Sequence, residues 1–265
     1  MSHKDWEIPH HTIAELSSKK SQYCICIPVI NEGKKIQKQL DRMQNISRDL
    51  DVIIADGGST DNSLELDRLS QLGIRTLLVK QDMGKLSAQL RMAFAYALQQ
   101  GYEGIITIDG NNKDDPSAIP EFVRLLDEGF DHIQGSRFIP GGRAINTPIE
   151  RLIGIKLVHA PLISLAAGFR YTDTTNGFRA YSRRFLSDDQ VAPFRTIFSA
   201  YELHYYLAIQ AAKLGYNVKE IPVTRIYPAT GPIPTKISPI QGNILLMKTL
   251  LKACLGQFDP VKQEG

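Results

Sequence analysis

The chain has few cysteines, and the three among its 265 residues are poorly placed for disulfide bonds. Cys24 and Cys26 fall within one predicted strand, and Cys254 is far away in the sequence. Three thiols cannot all pair with one another, so a disulfide-based scaffold is excluded and a reducing compartment is favoured. We therefore expect a cytoplasmic protein.

Long apolar runs are also missing. No stretch reaches the roughly 18 uncharged apolar residues that indicate a membrane-spanning helix. The nearest candidate, residues 152–169, is interrupted by Lys156, His159 and Pro161. The first twenty residues are polar and have no apolar core, so the sequence predicts neither a signal peptide nor a membrane span.

Several common motifs are absent. Without HExxH, CxxC or GxSxG, the usual zinc hydrolases, thiol oxidoreductases and serine hydrolases are excluded. Without GxxxxGK(S/T) or GxGxxG, P-loop and dinucleotide-binding proteins are disfavoured. The net charge is only 31 − 28 = +3, which is too small to indicate nucleic acid as a partner.

What is present is typical of a soluble globular protein, with 43% hydrophobic and 22% charged residues. The length fits one domain with an extension, or two domains. We predict a polar N-terminal arm over residues 1–20, a main domain over 21–236, and a C-terminal amphipathic helix and tail over 237–265.

Short apolar segments alternate with helical patterns in the first half of the chain. The predicted strands are residues 23–30, 51–55, 76–79 and 104–108. The predicted helices lie near residues 36–43, 64–72, 85–99, 149–167 and 201–214. Repeated strand–helix alternation predicts a parallel β-sheet covered by helices.

Polar clusters follow three of these strands. They are Asn31-Glu32-Gly33, Asp56-Gly-Gly-Ser-Thr60 and Asp109-Gly-Asn-Asn-Lys-Asp-Asp115. Ligands of open α/β sheets bind beyond the carboxyl ends of strands, so the clusters predict one shared site. Gly84-Lys85 begins a predicted helix, where main-chain N–H groups and a lysine suit a phosphate.

Each cluster also has a purely structural explanation. Residues 59–61 are suitable caps for the next helix, and Asp114 or Asp115 before Pro116 suits the helix after it. Capping does not explain Asp109, which directly follows its strand. Carboxylate and amide oxygens at that point are suitable ligands for Mg²⁺ or Mn²⁺.

The order of these segments carries a family resemblance. The segments are Pro28-Val-Ile-Asn31-Glu32, Asp56-Gly-Gly-Ser-Thr-Asp61, Gly84-Lys85, Asp109-Gly-Asn111, Gly135-Ser-Arg-Phe138, Asp173-Thr-Thr-Asn-Gly-Phe-Arg-Ala180, Tyr201-Glu202, Gly215-Tyr-Asn-Val-Lys-Glu-Ile-Pro222 and Thr235-Lys236. Together they resemble inverting family 2 glycosyltransferases of the GT-A fold, in the dolichol-phosphate mannose synthase (polyprenyl-phosphate glycosyltransferase) branch. The resemblance implies a mostly parallel sheet flanked by helices, with a C-terminal helical extension. It also implies transfer of a sugar from a UDP- or GDP-sugar to a polyprenyl phosphate.

The resemblance assigns roles to particular positions. The nucleotide-binding residues would be Pro28, Glu32, Asp56, Gly58, Lys85 and Arg179, with Arg137 also contacting phosphate. Asp109 and Asn111 occupy the DxD positions that would bind Mg²⁺ or Mn²⁺ on the diphosphate. Glu202 would be a carboxylate near the acceptor, or part of a capping box with Ser199.

Three positions depart from the family pattern. The DxDxQ motif becomes Asp109-Gly-Asn111-Asn-Lys113, so an amide replaces a carboxylate and an ammonium replaces a glutamine. Because a charged lysine cannot ligate a cation, we expect a weakened metal site unless Lys113 turns to solvent. Pro228 stands where the family has an arginine.

A lipid acceptor would require a surface facing the membrane. Residues 152–163 and 244–252 are apolar with interspersed basic residues, as interfacial helices are, although two ordinary core helices would look similar. From Arg195 onward the chain has eight Lys/Arg and four Asp/Glu, a local charge of +4. We therefore expect peripheral contact with the cytoplasmic membrane surface.

Other functions remain open at this point. One is a glycosyltransferase that acts on a soluble or glycan hydroxyl group, and another is a nucleotide-binding pseudoenzyme with an altered metal motif. A sugar-1-phosphate nucleotidyltransferase is disfavoured because Pro28-Val-Ile-Asn-Glu32 is not a Gly-rich basic loop. His159 and His204 are single histidines on apolar helices and are expected to be core or cap residues.

Overall fold

The computed structural model describes residues 6–229 and 241–260. The predicted motif residues Thr235 and Lys236 lie outside this part of the chain. The strands are β1 (His11–Glu15), β2 (Tyr23–Val29), β3 (Asp51–Asp56), β4 (Thr76–Lys80), β5 (Gly104–Thr107), β6 (His132–Ser136), β7 (Arg143–Ile145), β8 (Arg179–Ser182), β9 (Val218–Pro222) and β10 (Thr224–Ile226). The helices are α1 (Lys34–Arg42), α2 (Gln44–Asp49), α3 (Leu66–Gln71), α4 (Leu86–Gln99), α5 (Ile119–Asp127), α6 (Ile149–Gly154), α7 (Ala160–Ala167), α8 (Arg183–Leu186), α9 (Glu202–Lys213) and α10 (Gln241–Cys254).

An eight-stranded sheet in the order β1-β4-β3-β2-β5-β8-β6-β9 organises the protein. The central strands β4, β3, β2 and β5 are parallel, as the strand–helix alternation predicts. β8 runs antiparallel between β5 and β6, and β7 and β10 form a separate parallel pair. The result is the predicted mixed α/β architecture, with a C-terminal helix after the sheet.

The apolar strands are continuous because both faces of the sheet are covered. In β2, Cys24 and Cys26 belong to the hydrophobic cluster on one face, whereas Ile25 and Ile27 belong to the cluster on the other. α4 and α9 contribute to the first cluster, and α1 and α5 contribute to the second. Burial of each large aliphatic side chain contributes about 1.5–3 kcal/mol, so this alternation fixes which residues face each layer.

The N-terminal segment differs from the sequence prediction. Where the sequence predicts a polar arm over residues 1–20, the structure adds the edge strand β1, which pairs antiparallel with β4. Ile13 lies opposite Leu78, and most of the strand remains exposed or half-buried. A short, mostly polar edge strand has no apolar run, so its pairing partner, not its own pattern, determines it.

The long apolar helix predicted over residues 149–167 is interrupted. α6 passes through a π-helical turn at Ile155–His159 into α7, which carries Pro161 in its first turn. Proline removes one helical hydrogen bond and crowds the preceding turn, which explains the break. Exposed apolar side chains recur along this segment, at Ile149, Ile153, Leu157 and Leu165.

In the described residues, no helix is both long enough and apolar enough to cross a bilayer. Cys24, Cys26 and Cys254 all lie in the described part of the chain and are free thiols.

Candidate active site

The carboxyl ends of β2 and β3 lie side by side and orient Asp56. Val29 is the register partner of Asp56, and the Gly57 N–H donates to the Val29 carbonyl at 2.8 Å. The Asp56 carboxylate accepts hydrogen bonds from the Ser59 N–H at 2.9 Å and from the Ser59 hydroxyl at 2.5 Å. Asp56 is therefore a buried, fixed carboxylate at the predicted edge of the sheet.

The polar residues after these strands connect the two loops and do not cap a helix. The Asn31 N–H donates to the Ser59 hydroxyl, and the Thr60 N–H donates to the Asn31 side-chain oxygen at 2.7 Å. α3 begins later, at Leu66, and has no side-chain cap. Gly58 has a φ of +94°, a left-handed conformation that favours glycine.

Pro28 and Glu32 belong to the end of β2 and the loop after it, next to the strand that carries Asp56. Pro28 is half-buried in β2, and its carbonyl accepts from the Gly110 N–H at 3.3 Å, which draws the Asp109 loop over the end of β2. The Glu32 carboxylate is largely covered and lies 3.4 Å from the Lys35 ammonium. The three predicted strand-end clusters therefore meet on neighbouring strands.

Asp109 is held by an arginine that is distant in sequence. Arg225 Nη2 donates to the Asp109 carboxylate at 2.9 Å, and its Nη1 donates to Asp114. The Asp109 side chain is 25% exposed, whereas that of Asp114 is fully buried. A Cβ on Gly177 would lie 2.4 Å from Asp109 Oδ1, so a larger residue there would force this carboxylate to move.

The shared guanidinium affects the ionisation of these groups. Burial alone would raise the pKa of the Asp109 carboxyl, but the charge of Arg225 holds that pKa below its ordinary value. Burial raises the pKa of Asp114 to about 6 despite the same arginine. Burial lowers the pKa of Arg225, but both carboxylates outweigh this effect and raise it above the ordinary value. Arg225 and Asp109 are therefore ionised at neutral pH.

The other predicted metal ligand is also bound within the loop. The Asn111 side-chain N–H₂ donates to Asp109 at 3.3 Å, and its oxygen accepts from the Lys113 N–H at 3.2 Å. Lys113 is 7% exposed, so its side chain does not turn to solvent. Its ammonium lies 4.8 Å from the centre of the Tyr227 ring.

Tyr227 is the centre of a group of cations that the sequence did not predict. The Arg151 and Arg225 guanidinium carbons lie 5.7 Å and 5.9 Å from its ring centre, and Lys113 is closer. Burial would raise the pKa of the Tyr227 hydroxyl, but the charges of Arg225, Arg151 and Lys113 lower it instead. We call Lys113, Arg151, Arg225 and Tyr227 the cation cluster.

Arg137 does not present its guanidinium to an open phosphate site. Its Nε and Nη2 donate to Asp173 at 2.6 and 2.9 Å, and the side chain is 2% exposed. Burial would raise the pKa of Asp173, but the Arg137 hydrogen bonds hold it below its ordinary value. The pair fixes the loop before β8, so the predicted phosphate contact is not supported at this position.

Arg179, the other predicted phosphate contact, is held by main-chain carbonyls. Its guanidinium donates to the main-chain carbonyls of Asn176, His204 and Thr174 at 2.6–2.8 Å, and the residue is 1% exposed. An arginine pattern in sequence does not distinguish a ligand contact from a buried main-chain clamp. Here the clamp joins the segment before β8 to α9.

Lys85 and Glu202 lie near each other at the start of α4 and α9. The Lys85 N–H donates to the Ser199 carbonyl at 2.7 Å, and its ammonium lies 5.6 Å from the Tyr201 ring centre. The Glu202 carboxylate accepts from the Ala200 N–H at 2.7 Å. α9 begins at Glu202 with no side-chain cap, so the predicted capping box with Ser199 does not form.

The His204 ring is buried close to the site. Its Nε2 is buried and has no hydrogen-bond partner among the described residues. Burial lowers the pKa of His204 well below its ordinary value, and the Arg179 charge adds to this effect while Asp109 opposes it. The expected core histidine is therefore a neutral ring in the electrostatic environment of the site.

The mixed α/β fold of this chain matches that of GT-A glycosyltransferases. Crystal structures of glucosyl-3-phosphoglycerate synthase from Mycobacterium tuberculosis share it. The complex with Mn²⁺, UDP and phosphoglyceric acid has a TM-score of 0.61 at 20% identity, over 91% of this chain and 80% of that one. The UDP complex has a TM-score of 0.60 at 17% identity, over 91% and 81%.

The chain belongs to glycosyl transferase family 2, whose sequence model matches residues 24–189. It is 26% identical to the polyprenol monophosphomannose synthase of Mycolicibacterium smegmatis, over 76% of each chain. It is 24% identical to the undecaprenyl-phosphate mannosyltransferase of Micrococcus luteus, over 75% of this chain and 81% of that protein. It is 27% identical to the dolichyl-phosphate hexose transferase of Haloferax volcanii, over 85% and 90%. The family resemblance is confirmed.

Proposed function

We propose that this protein is an inverting glycosyltransferase that moves a sugar from a UDP- or GDP-sugar to a polyprenyl phosphate. One observation carries the proposal: Asp56 and the Asp109–Arg225 pair lie at the carboxyl ends of the two strands that flank β2. Strands two positions apart are separated by about 10 Å, which a nucleoside diphosphate spans. The polyprenyl-phosphate acceptors in the relatives' names support the acceptor class.

The Asp56 end suits the nucleoside. Ser59 orients the Asp56 carboxylate and leaves acceptor capacity for the N–H edge of a base or a ribose hydroxyl. Pro28 and Glu32 line the same edge. Lys85 immediately precedes α4, and its ammonium suits a phosphate, whereas the Lys85 and Ser87 N–H groups donate to the Ser199 and Ala200 carbonyls.

The proposed reaction requires positive charge to stabilise the leaving group more than it requires a general base to activate the acceptor. A phosphate acceptor is already anionic near pH 7, so it needs no strong general base. The departing nucleoside diphosphate gains negative charge, which fixed cations stabilise. The cation cluster beside Asp109 provides such charge. Glu202 stays a predicted acceptor-side carboxylate.

The residues at the DxD position fit a resident Mg²⁺ or Mn²⁺ poorly. Asp109 is bound by Arg225, Asn111 is bound on both its amide atoms, and Lys113 adds a second cation. In the described residues, no three His, Cys, Asp or Glu side chains are grouped as metal ligands. Since affinity for these ions depends on ligand charge, we expect weak binding in the absence of nucleotide.

The lipid acceptor places the enzyme at the cytoplasmic membrane surface in our proposal. The exposed apolar side chains of α6, the π-helical turn and α7 support it: Ile149, Ile153, Leu157 and Leu165 are 52–84% exposed. The exposed Lys156 lies in the same segment. Apolar side chains beside basic ones are typical of helices that lie in a membrane interface.

Transfer assays test the proposal. Purified protein is incubated with UDP-glucose, UDP-N-acetylglucosamine or GDP-mannose and with undecaprenyl phosphate, and the glycolipid is measured by mass spectrometry. We expect product with at least one donor and a large loss in Asp56→Asn, whereas Asp67→Asn, an exposed change on α3, serves as the matched control.

The alternatives give different results in the same assays. Transfer to an alcohol but not to the lipid phosphate would identify a hydroxyl acceptor. Nucleoside diphosphate binding in calorimetry without transfer from any donor would identify a pseudoenzyme, which the altered metal motif makes a specific competitor. Either result contradicts the proposed function.

A further inference from the structure

We propose that Arg225 and Lys113 take over the charge role of a divalent cation, so that this protein binds the nucleoside diphosphate and turns over without one. The inference rests on the proposed function, because it concerns the diphosphate of the same donor. It is carried by the contacts of the Asp109 loop with β10.

β10 places Arg225 rigidly. The Asp115 N–H donates to the Thr224 carbonyl at 3.0 Å, and the Ile226 N–H donates to the Lys113 carbonyl at 2.8 Å. Asp114 and Arg225 form the β-bridge between these two bonds. Main-chain hydrogen bonds on both sides of Arg225 therefore fix its backbone against the loop that follows β5. The guanidinium is held by Asp114 and Asp109 of that loop.

One of the two Asp109 carboxylate oxygens is already hydrogen-bonded within the protein. Asp109 Oδ2 accepts from Arg225 Nη2 at 2.9 Å and from the Asn111 amide at 3.3 Å. A divalent ion at this oxygen would have to displace a charge-assisted hydrogen bond and approach a guanidinium. Two like charges a few ångströms apart repel strongly where water is limited, so the Arg225 guanidinium disfavours a divalent ion at this carboxylate.

The cation cluster suits an anion and not a further cation. Lys113, Arg151 and Arg225 lie within 4.8–5.9 Å of one ring, and the side chains of Lys113 and Arg225 are buried. Asp109 and Asp114 are the carboxylates in hydrogen-bond contact with Arg225. A cluster of three cations is stabilised by a multiply charged anion, and a planar guanidinium is suited to a diphosphate.

The transfer step balances with the sugar nucleotide and the acceptor phosphate alone. An acceptor phosphate oxygen forms the new bond to the sugar anomeric carbon while that carbon's bond to the β-phosphate oxygen breaks. The electron pair of the broken bond stays on the β-phosphate, and no proton is transferred. Arg225 and Lys113 stabilise the added charge on the departing diphosphate.

The test is isothermal titration of the full chain with UDP and with GDP, in EDTA and in Mn²⁺. For the wild-type protein we expect the Kd of the better nucleotide to change by less than about threefold between the two buffers. Lys113→Gln and Arg225→Gln should each weaken binding in EDTA by about tenfold or more, because each removes a charge-assisted contact. Lys219→Gln, on the outer strand β9, should leave binding unchanged.

Arg225→Gln leaves the buried Asp114 without its partner, so Arg225→Lys provides a second variant. It keeps the charge but cannot donate to Asp109, Asp114 and a phosphate in the geometry of the planar fork, and we expect the same loss in EDTA. Wild-type binding and transfer that require Mn²⁺ and vanish in EDTA would overturn this inference and leave the proposed function standing. Absence of nucleotide binding in both buffers would overturn both.

Discussion

The Arg225 guanidinium donates to the Asp109 carboxylate across 2.9 Å, although 116 positions separate the two residues. The same guanidinium holds the buried Asp114, so one cation organises both carboxylates of the loop after β5. This relationship places a fixed positive charge where the sequence predicts a metal ion.

Mn²⁺ binding should respond to the charge of this loop. We expect the free wild-type protein to bind Mn²⁺ weakly, and Lys113→Gln to tighten binding because a buried like charge is removed. Adding Asn111→Asp supplies a second carboxylate, so the double variant should bind tighter still, by about tenfold per change. A Mn²⁺ titration of the three proteins, with and without nucleoside diphosphate, checks this. Tight binding by the wild-type protein, or no gain in either variant, would show that Lys113 lies outside the ion's reach.

Asp109→Asn should reduce sugar transfer by about 10- to 150-fold, because a charge-assisted hydrogen bond contributes about 1.5–3 kcal/mol. Without the carboxylate, Arg225 keeps only Asp114 as an anionic partner and loses its alignment toward the diphosphate. The measurement is kcat/KM for the donor, together with the melting temperature as a control for folding. Unchanged transfer in a folded variant would mean that Asp109 has no part in the reaction.

Asp173→Asn should destabilise the protein in a pH-dependent way. The pKa of Asp173 is held below its ordinary value, so its ionised form stabilises the fold at pH values above about 4. That contribution disappears as the pH falls through the lowered pKa. At pH 7 we expect a loss of about 3–5 kcal/mol, because Arg137 is left as an uncompensated buried charge.

Urea unfolding at pH 7, 5 and 3 measures the free energy of unfolding in each case. The gap between the wild-type protein and Asp173→Asn should be widest at pH 7 and 5 and narrower at pH 3. Asp67→Asn, on the exposed side of α3, controls for the loss of a surface charge. A gap that stays constant down to pH 3 would contradict the ionised Asp173–Arg137 pair.

Liposome binding should depend on both apolar contact and charge. We expect flotation with vesicles that rises with anionic lipid and falls with salt, because each basic residue near such a surface contributes about 1 kcal/mol and is screened. Leu157→Glu should weaken flotation, since Leu157 is 72% exposed in the π-helical turn. Leu66→Glu, an equivalent change on the exposed side of α3, should not. Protein that stays at the bottom of the gradient at low salt would contradict membrane contact.

The sequence alone determined the central sheet and the position of the site. The interior of β3, residues 52–55, is apolar throughout because both faces of the sheet are covered, and this pattern is local to each strand. The clusters that begin at Asp56 and Asp109 follow their strands directly, so their common edge follows from parallel pairing alone. The ordered motifs were also sufficient to indicate the family.

Only the tertiary structure decided what the charged side chains contact. Arg179 is a buried clamp on main-chain carbonyls, and Arg225 is the partner of Asp109, yet both are simply arginines near strands in the sequence. β1 likewise depends on the free edge of β4 and not on its own residues. The pattern of apolar and polar residues along the sequence predicts which residues are buried and where strands end. Both depend on neighbours two to four positions away in the chain. The ion pairs of Arg225 join segments that are more than 100 positions apart in sequence, so only the folded chain brings their charges together.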